Sequence, residues 1–329
     1  MDARLVALER WLRAELGNAP FTLAPASADA SFRRYFRARL GDGRSFIAMD
    51  APPHAEHCSP YVHVAALLRA AGLHAPQVHA QDLEQGFLLL SDLGTATYLD
   101  ALDEGNADAL FRDATEALIR WQLATRAGEL PPYDETLLRR EMELFPQWYL
   151  ARHLGIEPGA AQRGVLDEAF ALLARSALAQ PVVYVHRDYM PRNLMVCEPN
   201  PGVLDFQDAV LGPITYDIVS LLRDAFVSWQ EERVLDWAVR YWELARKARL
   251  PVAADFAEFY RDFEWMGLQR HLKVLGIFAR INYRDGKPRY LADTPRFLGY
   301  ARAVARRYAP LAPLARLLDG IEGRAPCAQ

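Results

Sequence analysis

The stretch Tyr184–Asp208, YVHRDYMPRNLMVCEPNPGVLDFQD, constrains this 329-residue chain more than any other. The apolar run Val182–Val185 reads as a buried strand that delivers His186, Arg187 and Asp188 into a loop, and Asn193 follows. Leu194–Cys197 and Val203–Leu204 read as two short strands joined by a turn over Glu198–Gly202, with Asp205 directly after. Such a hairpin brings the Asn193 amide oxygen and the Asp205 carboxylate together, a pair of hard oxygen ligands suited to Mg²⁺ on a polyphosphate. Asp188 is left to accept or orient the proton of an attacking hydroxyl. Cys197 falls in the predicted strand, where a free thiol behaves as a small apolar residue.

An isolated His-x-Asp carries little information. The spacing His-Arg-Asp-x-x-x-x-Asn, followed a hairpin later by Asp-Phe, matches the phosphoryl-transfer template of ATP-dependent kinases, so ATP and Mg²⁺ are the expected cofactors. Composition sets the surroundings. A formal net charge of −4 argues against a nucleic-acid partner. No 18-residue apolar run exists and the N-terminus is charged throughout, which predicts no membrane span, no signal peptide and a cytoplasmic chain. Cys58, Cys197 and Cys327 show no CxxC pairing and no zinc spacing, in keeping with a reducing compartment. The arginines from Arg296 to Arg307 read as a solvated face or as phosphate contacts.

Taken in order, Leu5, Leu8, Leu12 and Leu16 define one face of a helix over 3–16, ended by Gly17-Asn18. A strand region follows, with a hairpin of 35–40 and 45–50 around Gly41–Arg44. The segment before it, 27–34, offers backbone N–H groups with Ser31, Arg33 and Arg34 for polyanion contact, though it is no G-x-G-x-x-G loop. A helix over 56–71 and strands at 77–80 and 87–90 lead to Ser91-Asp92-Leu93-Gly94, a break that fits a hinge offering backbone groups to adenine. Helical spacing dominates thereafter, over 107–125, 135–153, 162–178, 216–222, 231–248, 254–282 and 295–308. Five strands are thus expected before the hinge and two or three after it. The predicted class is α+β, with residues 1–92 a nucleotide-binding lobe and 93–329 a helical catalytic and substrate lobe.

On these residues the chain resembles the aminoglycoside phosphotransferase/choline kinase family, whose fold is protein-kinase-like, with a small antiparallel N-lobe and a larger helical C-lobe. Within that family it most resembles the anomeric amino-sugar kinases of bacterial cell-wall recycling. The segments SFRRYFR (31–37), FIAMDAPP (46–53), VHRDYMPRNLMV (185–196), VLDFQDAVLGPITYDIVSLLRDAF (203–226) and LQRHLKVLGIFARI (268–281) carry the likeness. The resemblance implies Asp188 as catalytic base, His186 as a support of its loop, Asn193 and Asp205 as metal ligands, and Asp217 as a structural brace. It implies action on N-acetylmuramate and/or N-acetylglucosamine; a monomer is expected.

Two departures matter. Met49 stands where kinases carry a phosphate-binding Lys on the third strand, and the first lysine of the chain is Lys247. Another cation must then meet the phosphates, and Arg33 or Arg34 is the candidate, since a guanidinium fork suits phosphate oxygens. Gln207 replaces the Gly of D-F-G, and the short link from Asp205 to the 216–222 helix leaves no room for an activation loop. Arg187 or Arg192 is available to steady the transferring group. Trp148, Asp208, Trp265 and Arg270 lie on segments expected to line an acceptor pocket, joined there by Tyr149, Gln269 and His271. The competing readings are a kinase of another small alcohol (an aminoglycoside, choline or a different sugar) and a non-catalytic pseudokinase.

Overall fold

Asp2 starts the first helix, α1 (Ala3–Glu15), by accepting the N–H groups of Arg4 and Leu5 at 3.0 and 3.2 Å, which satisfies donors that a helix start leaves open. Leu8 and Leu12 on its inner face are fully buried and pack with Ala48, Phe87 and Leu89 of the following sheet. This computed structural model describes residues 2–27 and 33–321; Ser31 lies outside them.

The chain continues through β1 (Phe21–Ser27), β2 (Arg34–Leu40), β3 (Ser45–Asp50), α2 (Ser59–Ala70), β4 (Val78–Asp82), β5 (Phe87–Ser91), α3 (Tyr98–Ala101) and α4 (Ala107–Leu123). After α5 (Glu135–Met142) comes a π-helix over Phe145–His153, then α6 (Ala160–Ala179), β6 (Val182–Val185), a 3₁₀ turn over Pro191–Asn193, β7 (Leu194–Met195), β8 (Gly202–Val203) and β9 (Val210–Pro213). Five helices close it: α7 (Tyr216–Leu222), α8 (Glu231–Lys247), α9 (Phe256–Asp285), α10 (Thr294–Arg307) and α11 (Ala312–Ile321).

The contacts divide the chain into two compact units, residues 1–121 with 191–209, and residues 122–190 with 210–329. The 92/93 boundary drawn from the sequence follows the end of the sheet. The contact-based division also keeps α3, most of α4 and the β7–β8 hairpin with that sheet.

In the first unit, five antiparallel strands run in the order β1-β2-β3-β5-β4. Pro25 is tolerated in β1 because β1 is an edge strand. In the second unit the 30-residue α9 is the spine, packing on α6, α7, α10 and the π-helix. Gly276 sets how near α9 comes to the π-helix, for a Cβ there would lie 2.3 Å from the carbonyl carbon of Leu144. The single expected helix over 135–153 is broken where Pro146 removes a backbone donor, and the second half widens to π geometry.

Further features differ from expectation. The strand at Leu194 ends at Met195, so Cys197 lies beyond it, half-buried, with its thiol 3.4 Å from Nδ1 of His74. Among the described residues, four strands follow position 93 rather than two or three. The extra one is β9, whose Gly-Pro ending resembles a turn, yet it pairs antiparallel with β6. The arginines of α10 form a partly solvated face, as expected, but one that is also ion-paired: Arg302 and Arg306 meet Asp319 of α11, and Arg307 meets Glu264 of α9. Helix α11 itself was not anticipated.

Candidate active site

Strand β6 ends at Val185, and the next residues turn sharply, with Arg187 held at φ +76°. A non-glycine residue in the left-handed region costs roughly 1–3 kcal/mol and persists only where its surroundings enforce it. Here the enforcement is visible. Asp217, fully buried in the first turn of α7, accepts the N–H of His186 at 2.7 Å and that of Arg187 at 3.0 Å. Burial raises the Asp217 carboxyl to about 7, against the pull of those two N–H donors and of Arg270. His186 is buried, and its Nδ1 accepts the N–H of Asp188 at 3.3 Å.

Asp188 itself is 38% exposed, with Nη1 of Arg270 3.8 Å from its Oδ1. Burial pushes its carboxyl up, but Arg270, Lys273 and Arg187 outweigh that and hold it below the usual aspartate range. These cations form a network. Arg270, from α9, donates Nη1 to the Arg187 carbonyl at 3.2 Å and to the Tyr216 hydroxyl at 3.4 Å. Lys273, one turn further on, reaches the Tyr216 hydroxyl at 3.0 Å and Oε1 of Glu141 at 2.9 Å. Glu141 also pairs with the Arg187 guanidinium and accepts the Tyr133 hydroxyl. Burial acts to raise the Glu141 carboxyl, yet Lys273 and Arg187 bring it down to about 2.

The other half of the motif belongs to the first unit. Leu204 donates its N–H to the carbonyl of Asn193 at 2.9 Å, closing the β7–β8 hairpin. This sets Nδ2 of Asn193 3.3 Å from Oδ2 of Asp205, while Gln207 donates to Oδ1 of Asp205 at 3.0 Å. Asp205 sits at φ +60°, a second enforced left-handed position. Asn193 is 7% exposed, so its amide is directed by the hairpin and not by solvent. The Asn193 amide oxygen and the Asp205 carboxylate are both hard donors, the set that Mg²⁺ takes. No group of three or more His, Cys, Asp or Glu among the described residues forms an all-protein metal cage. A metal held here would therefore complete its shell from phosphate oxygens and water, as Mg²⁺ on a nucleotide does.

The two arginine candidates separate. Nε of Arg33 lies 3.5 Å from Glu56. Burial opposes the Arg33 charge, but Tyr35, Glu56, Asp205 and Asp208 hold the guanidinium protonated. Arg33 thus lies in the field of the candidate metal ligand Asp205. Arg34 instead donates Nε to the fully buried Asp50 at 2.9 Å, beside Arg4 at 2.8 Å, and its other end pairs with Asp2. Met49 is fully buried in β3 opposite Tyr35 and Leu88. At the proposed hinge, Ser91 accepts the N–H of Gln77 at 3.2 Å, and Leu93 is buried. Asp92 between them is tied down by Arg37 at 2.6 Å and Ser45 at 2.5 Å.

Of the acceptor-pocket candidates, Arg187 and Arg270 meet Asp188 in the second unit, and Asp208 is an exposed residue of the first. Trp265 packs edge-on against Tyr308 with centroids 5.6 Å apart, and Trp148 is half-buried on the π-helix. Sequence reasoning missed Glu141, Lys273 and Tyr133. The signal existed, for Glu141 shares a helix face with Leu138 and Met142, and Lys273 interrupts the apolar run LKVLGIF.

A model described as the phosphotransferase enzyme family (APH) matches residues 22–256, and the chain belongs to that family. That family defines a class, the phosphotransferases, rather than a particular enzyme. The N-acetylmuramate/N-acetylglucosamine kinase of Pseudomonas aeruginosa is 56% identical to this chain, over 97% of each. The protein of the same name from Neisseria meningitidis serogroup B is 51% identical, over 97% of this chain and 96% of its own. Among solved structures, choline kinase LicA from Streptococcus pneumoniae superposes with a TM-score of 0.61 at 12% identity, covering 90% of this chain and 99% of that one. The ADP-bound aminoglycoside phosphotransferase APH(2'')-Ib gives a TM-score of 0.59 at 13% identity, over 91% and 98%. Those two establish the protein-kinase-like fold.

Proposed function

We propose that this chain transfers the γ-phosphoryl group of ATP to the anomeric hydroxyl of N-acetylmuramate and N-acetylglucosamine, in the cytoplasmic recycling of cell-wall sugars. The observation that carries this reading is identity of 51% and 56%, over nearly the full length, with relatives bearing the corresponding name.

The residues fit the reaction in distinct roles. Asp188, partly exposed and ionised, orients the acceptor hydroxyl and takes its proton. Its depressed basicity suits an anomeric hydroxyl, which is already more acidic than an ordinary alcohol because the ring oxygen withdraws electron density. Positioning and charge stabilisation then supply most of the rate. Asn193 and Asp205 are the residues that would hold Mg²⁺, whose charge neutralises the phosphate oxygens. Arg33 is the cation assigned to the phosphates in place of the strand lysine, supported by the electrostatic pull that Asp205 and Asp208 exert on its guanidinium. Arg34 is left out of that role, since its guanidinium serves Asp50. Asp217 is assigned as a brace on the strength of its bonds to His186 and Arg187.

The test is ATP consumption with N-acetylmuramate, N-acetylglucosamine, glucose, choline and kanamycin, with Asp188→Asn as control. Turnover of the two amino sugars, lost in the control, is expected; turnover of none of the sugars overturns the reading.

A further inference from the structure

The loop that carries Asp188 has a second anchor besides Asp217, and it comes from a helix far away in sequence. Arg187 has its backbone N–H on Asp217 and its guanidinium on Glu141 of α5. Both side chains of that ion pair are largely out of water, with 18% of Arg187 and 7% of Glu141 exposed. Glu141 is in turn fixed by Lys273 at 2.9 Å and by the Tyr133 hydroxyl, with Lys273 6% exposed. The rings of Tyr133 and Tyr216 meet edge-to-face at 5.4 Å in the middle of the cluster. The Arg187 guanidinium lies 5.9 Å from the Tyr133 ring, and the Arg270 guanidinium and the Lys273 ammonium each lie 5.6 Å from the Tyr216 ring.

We propose that Glu141 is a positioning residue for phosphoryl transfer. Acting through Arg187, it holds the catalytic loop in its left-handed turn, with Lys273 fixing Glu141 in place. The physical argument has two parts. A lone arginine next to Asp188 is free to swing onto the nearest anion, including the phosphates or the catalytic carboxylate itself. A buried carboxylate clamps it, because a buried charge that leaves its partner is left uncompensated. The left-handed backbone at Arg187 also needs a restraint from both sides. The Asp217 bonds hold the main chain, and the Glu141 pair holds the side chain. In kinases that order such a segment by phosphorylation, an arginine waits for an added phosphoryl group. Here the anion is built into α5, so the loop is set whenever the chain is folded.

This inference rests on the proposed phosphotransfer for its kinetic readout but not for its structural one. Hydrogen exchange of the 184–190 backbone should quicken about tenfold in Glu141→Gln, whatever the acceptor turns out to be. In the kinetic arm, Glu141→Gln should lower kcat about 10–100-fold while the KM for ATP stays within about twofold. Lys273→Arg should keep most of the activity that Lys273→Met loses. Should Glu141→Gln not fold, Arg187→Met tests the tether from its other end. The decisive comparison is the double variant: Glu141→Gln added to Arg187→Met should cost little more than the worse single change, because both cut one link. Unchanged exchange at 184–190, or fully additive losses in the double variant, overturns the proposal. If the wild type turns over no amino sugar, the acceptor assignment fails alone, and the exchange measurement still decides the tether.

Discussion

Oδ2 of Asp217 accepts the backbone N–H of His186 at 2.7 Å across 31 residues of chain. The first turn of α7 is thereby joined to the end of β6, and Asp188 inherits its place from that junction. Asp217→Asn keeps one acceptor oxygen and turns the other into a donor facing an N–H. A loss of about 1–3 kcal/mol in stability is expected from that one unsatisfied bond, together with a fall in kcat and little change in nucleotide affinity. Urea unfolding and steady-state kinetics measure both.

Asp188→Asn preserves shape and removes the proposed proton acceptor. Turnover should drop about 10²–10⁴-fold, with the KM for ATP little changed. Asp205→Ala should instead abolish the response to Mg²⁺. Activity that survives Asp205→Ala removes that residue from the metal site.

Arg33 and Arg34 are neighbours with separable consequences. Arg33→Ala should raise the KM for ATP and leave the melting temperature nearly unchanged. Arg34→Ala leaves the fully buried Asp50 to Arg4 alone, and should cost about 1–3 kcal/mol of stability with a smaller effect on ATP. Thermal unfolding beside ATP kinetics separates them, and equal effects of the two changes contradict the assignment.

Two buried carboxyls carry opposite pH signatures. The folded value of about 7 for Asp217 lies above the ordinary ~3.9, so the native state keeps a proton that the unfolded chain releases. Its contribution favours folding most below pH ~4 and fades as pH rises to about 7. Glu141, at about 2 when folded, lies below the ordinary ~4.3. Its contribution is complete above pH ~4 and is lost as pH falls towards 2. Melting curves across this range should show wild type losing ground to Asp217→Asn as pH rises. Against Glu141→Gln, wild type should lose ground as pH falls.

Gly276→Ala places a methyl group where α9 meets the Leu144 backbone, 2.3 Å from its carbonyl carbon. Backbone yields less readily than side chain, so a cost of about 1–3 kcal/mol or more is expected. Denaturant unfolding reads it directly. A neutral or stabilising result means that the π-helix shifts freely.

Much of the fold was legible because its signals are local. The α1 leucines, the hairpin around Gly41–Arg44 and the helix at Tyr216–Leu222 each follow from periodicity or turn chemistry over a few residues. The motif around Asp188 was legible for the same reason, since its residues are fixed by spacing along one loop. For Glu141 and Lys273 the local pattern signals only a charge on an apolar face; nothing local names the partner, which for Glu141 is an arginine 46 positions away. β9 was missed because two residues of Gly-Pro outweigh two of Val-Leu in a four-residue strand whose partner is 25 or more residues back. Arg33 and Arg34 are indistinguishable by residue type. Only the register of β2 against β3, which sets Arg34 opposite Asp50, tells them apart.

The buried Met49 has a practical consequence for finding such enzymes. Its three lysines are Lys247, Lys273 and Lys287, all in the unit that lacks the five-stranded sheet. ATP-shaped electrophiles that detect kinases by acylating a phosphate-binding amine have no lysine to label on that sheet. In such a survey this protein gives no strand-lysine adduct, and any label it carries must fall on Lys247, Lys273 or Lys287.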